Sequence, residues 1–251
     1  MKKRGGIMLR IDPNIKYDQL PLYVVQHLSF HPPELIKSFV AGFTFLLLDL
    51  SLLFLLYPFI KIFYILSIPL YIFIHIWAVR LFVKNPYTTQ FESILFLGSL
   101  GTVMAIIYTL TAFKLSIYDL GITSKVYYVF LSFAFLAIFF VLVRYQIKKY
   151  SNLSEKIKEE YKAGYLEKFG PAISVVPALG YIFAQNTKDN EIIMYSVLLL
   201  IAIGLASFGA YMGAKQFHKY FFMKANMRFV HLQKPDKKTQ QKLERKGIVY
   251  K

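Results

Sequence analysis

One aspartate stands inside an unbroken run of leucine and phenylalanine, FLLLDLSLLFLL, from Phe45 to Leu56. An ionised carboxylate in the middle of a membrane span costs about 3 kcal/mol on insertion scales. Such a residue normally faces a bundle interior or a water-filled path. A second apolar run begins just past Pro58 and Lys61 and carries Ser67 and His75. Folded back as a hairpin near Lys61, the two runs bring residue 49 level with about residue 73. His75 then lies ~3 Å further along at 1.5 Å per residue. Asp49 and His75 are therefore expected to meet, with Ser51 and Ser67 as further polar partners. Such a pair can hold or pass a proton or cation along a transport path. Its plainer role is an interhelical tie that locks the hairpin. Pro69 is expected to kink the second helix and free a backbone carbonyl.

A second group of candidate residues precedes the apolar runs. His27, His31 and Glu34 share one face of a continuous helix, a spacing that can ligate zinc. Pro32 and Pro33 follow His31 directly, however, and push it toward extended geometry. An interfacial turn with two unrelated histidines is expected, and no metal site is assigned. His218 and His231 stand alone among basic residues and are expected to face solvent. The chain has no cysteine, which excludes disulfides, thiolate nucleophiles and thiolate metal sites. No nucleophile elbow, HExxH motif, glycine-rich phosphate loop or paired-carboxylate motif is present. The acids and bases near one membrane depth reduce to Asp49 and His75, so no catalytic residue and no cofactor is assigned.

The elements that must position these residues are membrane helices. Of the 251 residues, 56% are hydrophobic, and the excess comes in long uninterrupted runs. These lie at about 38–60, 62–83, 93–113, 126–143, 171–185 and 192–214, near the ~20 residues that cross a bilayer. The chain reads as all-α, a polytopic integral membrane protein with about six transmembrane helices. Its basic start, MKKRGG, lacks the short apolar core and small-residue cleavage site of a signal peptide, so the first run is expected to remain as an anchor. The fifth run is the weakest, short and interrupted by Pro171, Pro177 and Gly180; it either spans or is re-entrant. Charge arbitrates. With six spans and both termini cytoplasmic, all of the 30 Lys and Arg residues lie inside except Lys61, Lys114, Lys125 and Lys188. Arg80 is expected to anchor the cytoplasmic end of the second span at the interface. The domain organisation is then an interfacial segment 1–37, a transmembrane domain 38–214 and a basic cytoplasmic tail 215–251. An amphipathic cytoplasmic connection occupies about 145–169.

Two surfaces stand out. Ala202, Ala206, Ala210 and Ala214 recur every four residues on the last span, and Gly209 and Gly213 form a GxxxG. Small residues let another backbone approach closely. Gly98, Ser99, Gly101 and Thr102 on the third span make a reasonable internal partner; a homo-oligomer seam is the alternative. Past the last span, Lys215, Lys219, Lys224 and Arg228 alternate with Phe217, Tyr220, Phe221 and Phe222. This segment is expected to lie along the inner leaflet and bind anionic lipid. Its alternatives are a docking arm for a partner, or the last span running on as a straight helix. The +16 formal charge is accounted for by this lipid-facing distribution, and no nucleic-acid-binding motif accompanies it.

The layout, six spans with both ends inside and an amphipathic segment before the first, is similar to that of permease subunits of bacterial exporters. The chain departs from it in the long connection after the fourth span, the minimal outer loop before the sixth and the long basic tail. The likeness is one of layout alone. The basic tail and the amphipathic connection, as docking surfaces for a cytoplasmic partner, lead to the expectation of a non-catalytic transport or secretion subunit in the cell membrane, with protein partners in a complex. A membrane protein conferring immunity to a toxin, and a small intramembrane enzyme, are the alternatives.

Overall fold

The computed structural model describes residues 10–151, apart from 13 and 57, together with 190–235 and 240. The described residues are helical throughout, without strands. A short helix α1 (Leu22–Leu28) leads into α2 (Pro33–Leu56), α3 (Lys61–Val83), α4 (Gln90–Asp119), α5 (Lys125–Ser151) and α6 (Glu191–Ala225). The last five are each long and apolar enough to cross a membrane. The expected fifth run, 171–185, and the connection beyond Ser151 lie outside the described residues.

Local sequence explains where the helices begin and how they are wound. Pro33 occupies the first position of α2 and Glu34 its first turn, where a fixed φ and a negative charge both suit a helix N-terminus. Asn190 caps α6 by accepting a hydrogen bond from the Ile193 N–H at 3.1 Å. α3 runs unbroken through Pro69. The middle of α2, Gly42–Leu48, is wound as a π-helix before α-helical geometry resumes at Asp49. A change of winding of this kind disturbs the backbone ladder and opens carbonyls to side-chain donors.

α4 is the centre of the bundle. The most apolar part of this helix is 61% buried, against 28% for α2 and α3, 17% for α6 and 6% for α5. α3 buries a single seam, Phe63, Ser67, Tyr71, Ile74, Ala78 and Leu81, whose three- and four-residue spacing is one helical stripe. Its other faces leave Ile65, Ile72, Ile76 and Val79 exposed. Such faces suit contact with lipid rather than water.

The tightest packing joins α4 to α6. Ala202, Ala206, Gly209, Ala210, Gly213 and Ala214 are all buried. A β-carbon added at Gly101 would lie 2.5 Å from the Gly213 nitrogen and 2.8 Å from the Gly209 oxygen. One added at Gly213 would lie 2.7 Å from Thr102 Oγ1. The two small-residue sets therefore face each other within one chain. The stripe of α6, for which the third span was the expected internal partner and an oligomer seam the alternative, is covered by α4.

Two ends can be told apart by their contacts. At one, Ile11 N–H donates to Asn226 Oδ1 at 2.7 Å, Tyr150 stacks on His218 and Trp77 donates to Glu92 at 3.1 Å. At the other, the fully buried Lys114 donates through Nζ to the Phe54 carbonyl in the last turn of α2. A cation there meets the negative end of a helix and carbonyls lacking backbone partners. Lys114 was expected in an outer turn. α4 instead continues to Asp119 through a π-turn, which leaves Lys114 inside the bundle.

Candidate functional site

The structure brings Asp49 and His75 together across the α2–α3 hairpin. His75 Nε2 lies 3.2 Å from Asp49 Oδ2 and 3.2 Å from Oδ1. His75 Nδ1 lies 2.8 Å from the Tyr71 carbonyl oxygen. A carbonyl only accepts, so Nδ1 carries a hydrogen. Nε2 then either accepts a proton from a neutral Asp49 or belongs to an imidazolium facing a carboxylate. In both arrangements a single hydrogen joins the two side chains.

Beside it, a second polar set gathers on the π-wound part of α2. Tyr108 of α4 donates to the Leu47 carbonyl at 2.5 Å. The Leu48 carbonyl accepts from Ser51 Oγ at 2.6 Å and from Tyr71 Oη at 3.3 Å. Ser51 and Tyr71 are also within hydrogen-bonding distance of each other, so their two hydroxyl hydrogens are divided among three contacts. Ser51 is thus engaged by Tyr71 and Leu48 rather than by His75, so Asp49, His75 and Ser51 do not form a nucleophilic relay. Ser67 bonds to the Tyr64 carbonyl on its own helix at 3.3 Å and does not join the pair. Tyr71 and Tyr108 escaped the sequence reading because tyrosine is abundant here. Only the position of Tyr71, four residues before His75, hinted at its role.

The pair sits toward the outside of the bundle that the described helices form. The His75 and Asp49 side chains are 31% and 25% exposed. Their surroundings are the outward-facing Phe45, Leu46, Ile72 and Ile76, with the Phe45 ring edge-on to His75 at 5.6 Å. Nearer the α1 end, Glu92 binds both Trp77 and Arg80, the latter through Arg80 Nε at 2.7 Å. The Arg80 side chain is 57% exposed, as suits an interfacial anchor.

The coupling within the pair is measurable. Asp49→Ala and His75→Ala are each expected to lower stability in detergent, and the double substitution to cost about 1–2 kcal/mol less than their sum. Thermal unfolding of the four proteins tests this; strictly additive losses would show that the contact carries no energy.

The histidines upstream are arranged differently from the zinc spacing considered above. His27 is buried and stacked on Tyr150 at 4.0 Å, with Nε2 3.0 Å from His218 Nδ1. Glu34 accepts from Tyr87 Oη at 2.7 Å, and His31 lies edge-on to Phe39. The three residues are directed to separate partners. Among the described residues no group of three His, Cys, Asp or Glu is placed to hold a metal. Burial, reinforced by His218, Lys219, Lys215 and Lys149, lowers the His27 pKa from its ordinary 6.5 to about 2.

His218 departs from expectation: it is buried rather than solvent-facing. Lys219 departs likewise, being only 6% exposed and so unable to lie on a lipid surface. The reason is the same for both. α6 runs straight on through Ala225, and the N-terminal segment packs over this side, with Val24, Leu28 and Phe30 against Phe222 and Met223. The segment therefore does not lie flat as an amphipathic continuation. Lys215 remains exposed. Lys224 is exposed and sits 4.6 Å above the Phe91 ring, and Arg228 donates to the Asp12 carbonyl at 2.6 Å.

Comparison of the chain with protein-family models, curated proteins and solved structures gives no match.

Proposed function

We propose that the protein is a non-catalytic, multi-pass subunit of a transport or secretion complex in the cell membrane. In this reading a helix of a partner protein covers the face of the α2–α3 hairpin that bears Asp49 and His75. One observation carries it: the hydrogen-bonded Asp49–His75 pair lies part-exposed on an otherwise apolar helix surface, outside the core that the described residues form. Polar groups at membrane depth normally face protein or a water-filled path. A cover from another chain supplies either.

Six crossings with both termini cytoplasmic fit the same reading. The charge distribution supports them, as does the antiparallel pairing of α4 and α6, which sets Glu191 at the opposite end from Ser151. The Ser51 hydrogen bonds weigh against the enzyme alternative, because they tie the hydroxyl into the hairpin.

The test is photocrosslinking in native membranes, with a reactive side chain at Ile76 or Leu46 and a control at Val126 on α5. Discrete protein adducts from the first two positions, lost on Asp49→Ala, are expected. Lipid adducts alone at every position would overturn the reading.

A further inference from the structure

A small pocket of about 230 Å³ opens between the start of α2, α4 and α6, apart from the hairpin pair. One part of its wall is aromatic: Phe39, Phe43 and Phe208 line it, with Phe43 and Phe208 stacked at 6.4 Å. His31, Lys215 and Gln216 line the rest. Lys215 lies one rise of ~10 Å along α6 from Phe208, at 1.5 Å per residue, so the cavity is polar at one end and apolar at the other.

Two polar atoms here lack partners. Gln216 is only 8% exposed, and its buried Oε1 makes no hydrogen bond; neither does the buried Nε2 of His31. The Gln216 side chain acts on His31 as a hydrogen-bond partner and opposes the lowering of its pKa, but at a geometry that leaves both buried atoms short of a full bond. Buried polar atoms are almost always satisfied, and each exception asks for a reason. Two exceptions lining one cavity point to an occupant that supplies the missing bonds. The sign of the occupant follows from the lining, which carries the Lys215 ammonium and, among the described residues, no carboxylate. Burial, with Lys219 beside it, lowers His31 to about 4. The ring is therefore neutral at pH 7 and offers one N–H, leaving Lys215 as the charge.

We propose that this pocket binds an anionic amphiphile. Its phosphate ester meets Lys215 and the His31 Nε2–H, a headgroup hydroxyl donates to Gln216 Oε1, and its hydrocarbon lies on Phe43 and Phe208. The inference is independent of the partner reading above, since it concerns a different face of the chain. A lipid and free phosphate share the anionic chemistry, and the hydrocarbon separates them.

The full chain, purified in a neutral detergent, is titrated with phosphatidylglycerol, phosphatidylcholine and inorganic phosphate, with binding read by native mass spectrometry and thermal shift. Phosphatidylglycerol is expected to bind at least about tenfold more tightly than phosphatidylcholine, and inorganic phosphate more weakly than either. Loss of one hydrogen bond to a charged group corresponds to about tenfold or more in affinity. His31→Leu and Lys215→Gln should each show such a loss for phosphatidylglycerol, and Gln216→Leu, which removes a bond from a neutral hydroxyl, a loss of about two- to tenfold, while Lys224→Gln, outside the pocket, should not. Equal affinity for the two lipids, or unchanged binding in the three variants, overturns the proposal. Phosphate binding as tight as the lipid, with the same residue dependence, overturns the amphiphile in favour of a soluble anion. Lys215 is exposed, so Lys215→Gln keeps the test decisive should Gln216→Leu fail to fold.

Discussion

Gly101→Leu is expected to unfold the protein at a markedly lower temperature than the parent, and Gly101→Ala to cost about 1–3 kcal/mol. The added β-carbon alone would lie 2.5 Å from one backbone atom of α6 and 2.8 Å from another. Backbone atoms cannot rotate out of the way, so α4 and α6 must separate. Separation then weakens contacts along the whole seam, because dispersion falls steeply with a gap of an ångström. Gly209 faces the same constraint, with an added β-carbon 2.7 Å from the Ala105 nitrogen. The double change Gly101→Ala with Gly209→Ala should therefore cost less than the sum, since the first shift makes room for the second. Gly204→Leu is the control. Nothing lies within 4 Å of its added β-carbon, so an effect within about 0.5 kcal/mol is expected. Circular-dichroism melts in detergent check all five variants, Gly209→Ala alone included; a Gly101→Leu protein as stable as the Gly204→Leu control would exclude the close α4–α6 approach.

Acidification should release the N-terminal segment while the bundle stays folded. The docked segment forms a core of its own, with Val24, Leu28, Phe30, Tyr150, Phe222 and Met223, separate from the main cluster around α4. His27 sits in it with a pKa lowered to about 2, and His31 nearby is lowered to about 4. In the undocked state each takes up a proton near its ordinary 6.5, whereas the docked state resists it. The histidine contribution to docking is therefore fully present above pH 6.5 and is lost as pH falls. The loss from His27 is up to about 1.4 kcal/mol per pH unit, down to about pH 2; the loss from His31 ends near pH 4. By pH 4.5 the His27 contribution alone reaches ~3 kcal/mol. Hydrogen-exchange protection of Leu22–Leu28, corrected for intrinsic rates, should fall between pH 6.5 and 4.5, while protection in the middle of α4 holds. His27→Leu should flatten the dependence. A flat profile in the parent protein would mean that His27 is already accessible to protons.

Membrane class was legible from the residues because apolar run length against bilayer thickness requires no tertiary information. The hairpin pairing of Asp49 with His75 was legible for a similar reason: a tight turn and a fixed rise per residue set the depth of both groups. The Gly101–Gly209–Gly213 contact was half-legible: two small-residue stripes suited each other, but run length and spacing left an oligomer seam open as the alternative. Other features were hidden. The π-winding of Gly42–Leu48 has no periodic signature, yet it opens the carbonyls that Tyr71, Ser51 and Tyr108 occupy. Lys114 read as a turn residue because its burial depends on how far α4 continues. His218 and Lys219 read as surface groups because polar residues after an apolar run usually meet water or lipid headgroups.

What the sequence determines by itself is set by one-dimensional quantities: which segments are apolar, how long they are, where charge collects and at what depth each polar group falls. Those quantities make the chain a multi-pass helical membrane protein and single out Asp49 and His75. What only the tertiary structure decided is which faces are covered. The seat of His27 against His218, separated by 191 residues, is one case. The pocket of His31, Lys215 and Gln216 is another, and so is the partly uncovered face of the hairpin. Each depends on helices distant in the chain coming within a few ångströms. Packing in three dimensions, unlike run length or charge, is a property of pairs of surfaces and is written in neither segment alone.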